Sequence, residues 1–365
     1  MSRSQKTIGI LTGGGDCPGL NAVIRAVVLT ATEQYGWNVV GFRDAFIGLV
    51  EERWLPLDRS AVSGILPIGG TILGTASGLN PSEWKVEVDG EIKTVDRSPN
   101  VAQTIKNLGI DALIVVGGDG TMTIAKQYID RFDLKVVGVP KTIDNDLKAT
   151  QVTFGYATAV VTATEAVDKL HTTAASHHRV MVLETMGRHV GWIALESGVS
   201  GGADVILIPE IPYDIDKVCD KILLRKSHGS RFSIVVVAEG AQPIGGEPSV
   251  INPRKKGTIY ERLGGVGLKI AHLIEERTGM ITRATVLGHL QRGGTPCPFD
   301  RFLGTRFGRH AVTLIEQEKY GHMVIYRDGE IGDIPIADVI GGFKAVDPDG
   351  EPVRTAESLG TSFGR

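Results

Sequence analysis

Cysteine is scarce in this chain. Cys17, Cys219 and Cys297 lie far apart and without ligand-like spacing, which argues against a disulfide framework or a zinc site. No apolar run approaches the roughly 18 residues of a membrane span. The opening stretch, Met1–Lys6, is polar and leads straight into a strand, so no signal peptide is expected. Net charge is −3 with no long run of one sign, which leaves no basic surface for nucleic acid or an anionic membrane. Low-complexity segments and short repeats are absent. So are the Walker A signature and the Rossmann G-x-G-x-x-G spacing. A hydrophobic share of 42% and a charged share of 22% describe an ordinary soluble globular protein, expected to be cytoplasmic.

Glycine is what the chain has in excess. Its 47 residues among 365 are nearly twice the usual share of about 7%, so many turns are expected to approach something closely. Thr7–Leu11 reads as a strand ending in Thr12-Gly13-Gly14-Gly15-Asp16-Cys17-Pro18-Gly19, and helical spacing follows from Leu20. Strand, glycine loop and helix form a layout that points backbone N–H groups at an anion. Asn38–Phe42 is a second strand, and Gly69–Gly78 is another glycine loop, rich in hydroxyls. Trp84–Val88 and Glu91–Val95 alternate around Asp89-Gly90, a hairpin signal and a surface insertion. Asp111–Val116 runs into Gly117-Gly118-Asp119-Gly120-Thr121. A carboxylate between glycines at a strand's carboxyl end can reach a metal-bound phosphate, or can simply cap a helix.

The stretch around which the rest is organised is Pro140-Lys141-Thr142-Ile143-Asp144-Asn145-Asp146, placed after the buried strand Leu134–Val139. In an open α/β sheet, ligands sit at the carboxyl ends of strands. A lysine, a hydroxyl and two carboxylates there are the parts of a phosphoryl-transfer site, though an Asx-rich turn is the competing reading. Downstream come a helix over Ala157–His171 and strands at Val180–Leu183, Asp204–Pro209 and Phe232–Ala238. A helical stretch follows at Gly264–Ile274, and the tail from Asp347 is polar and loop-like. Arg188, Arg283 and Arg292 at loops, with His289, favour an acidic ligand. Strands and helices alternate twice, which predicts an α/β fold of two doubly wound, Rossmann-like lobes with the active site in the cleft between them. The expected limits are 1–155 plus about 291–341 for a donor lobe and 156–290 plus about 342–365 for a sugar-phosphate lobe.

Taken together, GGGDCPGLNAVIR, GGTILGT, GGDGT, PKTIDND, ETMGR, AEG and TRATVLGHLQRGGTPCPFDR resemble the phosphofructokinase family, in consistent order from about Lys6 to Arg309. GGDGT alone also occurs in lipid and NAD kinases. PKTIDND, MGR and GHLQRGG are the specific ones. The resemblance implies transfer of phosphate from ATP to the 1-hydroxyl of fructose 6-phosphate, with Mg2+, in a homodimer or homotetramer. It makes Asp144 the base, Thr142 a contact to the transferred group and Arg188 the group that steadies charge. It places Gly15, Gly118, Asp119, Gly120, Thr121 and Lys141 at the donor, with Asp119 at the metal and Asp146 an auxiliary carboxylate. Met186, Gly187 and Glu239 line the sugar site. Arg179, Arg283, His289 and Arg292 surround the 6-phosphate, with Arg179 and Arg283 arriving from a neighbouring subunit.

Gly120 stands where diphosphate users carry an aspartate, while Lys141 is a residue they share, so the resemblance favours ATP through the absence of a side chain at 120. Ser77 replaces an arginine that the well-known bacterial ATP branch places near the donor. Of that branch's arginine-rich regulatory positions Arg25 matches, whereas Leu29 and His171 do not. The alternatives are a diphosphate-dependent enzyme, an enzyme for another phosphorylated sugar, and a catalytically dead sugar-phosphate-binding subunit. Retention of Asp119, Asp144, Asp146 and Arg188 argues against the last.

Overall fold

The computed structural model describes residues 5–88, 90–252 and 262–365. Met1–Ser4, most of the expected polar start, and Asp89, half of the expected hairpin turn, lie outside the described residues. The first elements are β1 (Thr7–Thr12), α1 (Leu20–Leu29), β2 (Asn38–Phe42), α2 (Phe46–Val50), β3 (Trp54–Leu57) and the hairpin β4 (Trp84–Val88) and β5 (Glu91–Val95). Next come α3 (Ser98–Asn107), β6 (Ala112–Gly117), α4 (Asp119–Phe132), β7 (Val136–Pro140), α5 (Tyr156–His177), β8 (Val180–Thr185), α6 (Trp192–Ser200) and β9 (Val205–Leu207). The chain continues through α7 (Ile215–Ser227), β10 (Ser233–Ala238), β11 (Val250–Asn252), β12 (Arg262–Leu263), α8 (Val266–Thr278) and β13 (Thr282–Val286). It ends with α9 (Pro298–Glu316), β14 (His322–Arg327), β15 (Glu330–Pro335) and α10 (Glu351–Ser358).

By contact the chain divides into two units. One comprises Met1–Ile143, Leu147–Gly155 and Arg292–Gly342; the other comprises Asp144–Asp146, Tyr156–Gln291 and Phe343–Arg365. The first holds a seven-stranded sheet in the order β15-β14-β7-β6-β1-β2-β3. Its strands from β14 to β2 are parallel, and β15 and β3 are antiparallel edges. β6 is buried along its whole length, as a central parallel strand covered on both faces must be, which is why it reads as an unbroken apolar run. Leu11, Leu113 and Val115 turn to one face and pack with Met122, Ala125 and Tyr128 of α4 and Val101 of α3. On this sheet's other side α9 packs against α1, β7 and β14. β7 stops at Pro140, whose ring removes the N–H that would extend the ladder.

The second unit holds a four-stranded parallel sheet, β13-β8-β10-β9. Alternate valines of β8 and β10 (Val180, Val182, Val235, Val237) enter one core with α7 and α8, while α5 and α6 contact the same strands. Each unit thus has the doubly wound α/β form. Two expectations differ from the structure. The tail forms α10, because Val353 and Ala356, three apart, bury one face of a short helix of about two turns. Asp144–Asp146, expected with the first lobe, belong by contact to the second unit, since Lys344 holds them there.

Candidate functional site

In an open parallel sheet the strand order reverses at one point, and the loops leaving the carboxyl ends there diverge to leave a crevice. In the first unit that point is between β1 and β6, which are neighbours although β2 flanks β1 on its other side. The loops at this point are Gly13–Gly19 and Gly118–Thr121. They are tied together: Gly13 N–H donates to Val116 O at 2.8 Å, Gly14 N–H donates to Ala76 O at 3.0 Å, and the Thr75 hydroxyl donates to Gly14 O at 2.6 Å. The hydroxyl-rich loop expected near a phosphate therefore packs on the glycine loop. Asp119 is the first residue of α4, and its Oδ1 accepts the Gly341 N–H at 3.2 Å. Gly120 follows, exposed on the helix's first turn, while Thr121 is buried.

Lys141 is only 4% exposed. Its backbone N–H bonds Gly117 O at 3.0 Å and its ammonium bonds the carbonyl of Gly15, so a buried cation lies against the glycine loop. Arg292 also comes to this loop, donating from Nη1 to Asp16 O at 3.0 Å. A Cβ on Gly15 would lie 2.6 Å from that same Nη1, so a side chain there would push the guanidinium aside. Two cations thus bond carbonyls of the glycine loop close to Thr121 on the first turn of α4, and cations beside a helix start suit an anionic ligand such as a polyphosphate. Thr142 O accepts the Thr153 hydroxyl at 2.7 Å, which fixes the strand's exit. Ser77 is exposed beyond the loop.

In the second unit the connections diverge between β8 and its neighbour β10, which lead to α6 and α8 respectively. Here Met186-Gly187-Arg188 leaves β8, Glu239-Gly240 leaves β10, and Gly288–Arg292 begins just past β13. Glu239 N–H bonds Thr185 O at 2.9 Å and Gly240 N–H bonds Gly187 O at 3.1 Å. A Cβ at Gly240 would collide with the carbonyl of Arg188, so the two turns touch through backbone alone. Gln291, fully buried, accepts the Met186 N–H at 3.3 Å and donates to Gly288 O at 3.1 Å. This clamp, which motif reading passed over, locks the turn that presents His289. Arg179 and Arg283 are elsewhere. Arg179 precedes β8, and Arg283 pairs with Met181 near that strand's start. About 20 Å of strand separates Arg179 from the Arg188 end of β8, and about 13 Å separates the level of Arg283 from it. Arg283 is exposed on the edge strand, bonded to Thr282 O at 2.7 Å and paired with Glu275 at 3.3 Å.

Asp144 and Asp146 flank Asn145, whose φ of 54° is left-handed. Lys344 spans this turn: its Nζ donates to Asn145 Oδ1 at 2.8 Å and its N–H to Asp146 O at 2.8 Å. Trp192 Nε1 donates to Lys344 O at 2.7 Å. Burial holds the Lys344 ammonium down to about 8, against the opposing pull of Asp146 and Glu196. His189, stacked on Phe343 at 4.4 Å, is lowered by burial and by Arg188 beside it, with Asp146 pulling the other way. Glu210, raised by burial, accepts the Gly191 and Val346 N–H groups. None of Lys344, Trp192 and Glu210 carried a motif signal.

A sequence profile of the family described as phosphofructokinase matches residues 7–315. Over its whole length the chain is 50% identical to all of the "ATP-dependent 6-phosphofructokinase 2" of Clostridium perfringens. It is also 49% identical, over 98% of this chain and 99% of the other, to the "Pyrophosphate--fructose 6-phosphate 1-phosphotransferase" of Streptomyces coelicolor. Among solved structures, Pichia pastoris phosphofructokinase in the T-state superposes with a TM-score of 0.78 at 34% identity, covering 93% of this chain. This chain spans only 36% of that larger one. Profile, whole-length relatives and fold agree: the chain belongs to the phosphofructokinase family.

Proposed function

We propose that the chain is an ATP-dependent 6-phosphofructokinase, which moves the γ-phosphoryl group of ATP to the 1-hydroxyl oxygen of fructose 6-phosphate and releases ADP. The observation that carries this reading is the composition of one short segment. Lys141 and Thr142 leave β7 with the unit that holds the glycine loops, and two residues later Asp144 belongs to the unit that holds Arg188, Glu239 and His289. Donor-side and acceptor-side chemistry thus occupy one covalent stretch. On this reading the Asp144 carboxylate takes the hydroxyl proton as the new O–P bond forms, and the leaving ADP oxygen keeps the pair from the broken bond. A carboxylate is a weak base, but in a loose transition state positioning matters more than basicity. Thr142 contacts the transferred group and Arg188 balances its charge through a planar fork. Gly15, Gly118, Thr121 and Lys141 hold the donor, Met186, Gly187 and Glu239 the sugar, and His289 its 6-phosphate, joined by Arg292 once its guanidinium leaves the Asp16 carbonyl that it bonds in this structure.

Magnesium fits these residues. No group of three or more His, Cys, Asp or Glu suited to a metal occurs among the described residues, and a magnesium carried by phosphates needs only one or two carboxylates. Asp119, half-buried at a helix start, is the residue that would hold it. When bound, the ion would neutralise charge on the donor phosphates. A second copy of the chain is proposed to supply Arg179 and Arg283, because both sit at the strand starts, away from the Arg188 end. Among the described residues no helix is long and apolar enough to cross a membrane, and a cytoplasmic setting suits a sugar-phosphate kinase.

Two observations favour a second reading, diphosphate as donor: Lys141 is present, and the Streptomyces coelicolor relative is as similar as the ATP-dependent ones. Separate assays with ATP and with diphosphate, each with fructose 6-phosphate and magnesium, decide between them. For the mechanism, Asp144→Asn should lower kcat by about 10²–10⁴-fold, the usual worth of a positioned base. Unchanged turnover would sink the assignment.

A further inference from the structure

The reaction proposed above uses Asp144 but leaves unexplained what holds it. Asp144 lies in a turn whose next residue is left-handed, at φ 54°, a conformation costly for most side chains but tolerated by asparagine. Tolerance alone does not fix the turn. Asn145 is 4% exposed, and its side-chain oxygen accepts the ammonium of Lys344 at 2.8 Å. On the far side of the same turn, Lys344 N–H reaches Asp146 O at 2.8 Å. Lys344 is itself held, through its carbonyl on Trp192 Nε1 at 2.7 Å and with its ammonium 5.7 Å from the Trp192 ring. One residue, 199 positions along the chain from Asn145, thus bonds the Asn145 side chain and the Asp146 carbonyl, on the two residues that follow Asp144. Burying an ammonium is costly. A site that needed only packing here would be better served by an apolar chain of the same length.

We propose that Lys344 is a positioning residue for phosphoryl transfer: by anchoring Asn145 and Asp146 it sets the direction in which Asp144 presents its carboxylate. The inference rests on the reading of Asp144 as the base. Lys344 touches neither substrate on this account and acts only through the turn. Near-attack geometry is steep in position, so a loosened base costs turnover and leaves the affinity for the sugar phosphate nearly intact.

The test is steady-state kinetics with fructose 6-phosphate, ATP and magnesium, alongside thermal unfolding of the same samples. Lys344→Met should lower kcat by about 10- to 100-fold while KM for fructose 6-phosphate stays within about twofold. Its unfolding temperature should equal or exceed that of the parent at neutral pH, since a buried charge has been removed. Asn145→Gly deletes the acceptor without straining a left-handed position and should lower kcat by a similar factor. The double variant should be no slower than the worse single one, because both break one interaction. Lys344→Arg should recover part of the loss. A Lys344→Met enzyme within about threefold of the parent kcat would overturn the proposal, as would losses that multiply in the double variant. A fall in unfolding temperature that tracks the fall in kcat would overturn it too, by making the role structural. Asp144→Asn separates the two claims. If that variant is crippled and Lys344→Met is not, the base stands and the positioning role falls; if Asp144→Asn keeps turnover, both fall. Should Lys344→Met fail to fold, Asn145→Gly breaks the same hydrogen bond from the other side and yields the same decision.

Discussion

At position 120 a hydrogen stands where a side chain would begin, and the consequence can be separated from stability. Gly120 is exposed on the first turn of α4, where a carboxylate complements the helix dipole and any residue other than proline is a better helix former than glycine. Gly120→Asp should therefore unfold at the same temperature or higher. It should still lose ATP-dependent activity by about 100-fold or more, since like charges forced together cost several kcal/mol. Undiminished ATP use in a well-folded variant would remove Gly120 from the account of donor choice. Lys344 makes a different prediction, in pH. Its ammonium is held near 8 against an ordinary 10.5, chiefly by burial and despite Asp146 and Glu196. Between those two values the folded chain has released a proton that the unfolded chain keeps, so this group makes stability rise with pH. Below 8 the full cost of its charge is present, up to about 3 kcal/mol. The stability advantage of Lys344→Met should thus be largest near pH 7 and shrink as pH rises through 8 toward 10.5. Calorimetry at several pH values checks it, and an advantage that grows with pH would contradict the assignment.

Elements show where sequence reading reaches and where it stops. Strands β1, β2, β6, β7, β8 and β10 were legible because each is a short apolar run between turn residues, and the loops at their ends carried the glycines and carboxylates that name the chemistry. α5 begins and ends beyond its expected Ala157–His171 span, because its polar flanks hide the continuing helix. α10 was missed since only two of its eight residues are buried. The supports of the site were not legible for another reason: Gln291 reaches Met186 across 105 residues, Glu184 reaches Gly265 across 81, and Glu210 reaches Val346 across 136. Such partners leave no local period to read. α4 offers a stability test of its own. Tyr128 is fully buried between Phe46 and Phe132, at ring distances of 5.4 and 6.2 Å, and its hydroxyl has no hydrogen-bond partner among the described residues. An unsatisfied buried hydroxyl costs about 1–3 kcal/mol. Tyr128→Phe should raise stability by about 1 kcal/mol in urea unfolding with activity unchanged; a loss of stability would mean the hydroxyl is satisfied.

For the molecule as a whole, the question is whether one chain holds every residue its reaction needs. In the second unit Arg188, Glu239 and His289 stand at the carboxyl ends of parallel strands, while Arg179 and Arg283 stand at their starts. Strands of six residues are rigid and fully buried in β8 and β10, so no local rearrangement carries an arginine from one end to the other. If both ends serve one phosphorylated sugar, as proposed, a second copy must bring its own Arg283 to the first copy's His289. A two-fold pair then has two equivalent sites, each built from both chains. Two inactive variants make this measurable. Asp144→Asn spoils the base that a chain gives to its own site, and Arg283→Ala spoils what it gives to its neighbour's. Each alone should be nearly inactive. Co-expressed and randomly paired, they form mixed dimers in which one site collects both intact residues and the other collects both defects, so about a quarter of the parental activity should return. If the mixture stays as inactive as its components, Arg283 acts within its own chain or not at all, and the two-chain site is wrong.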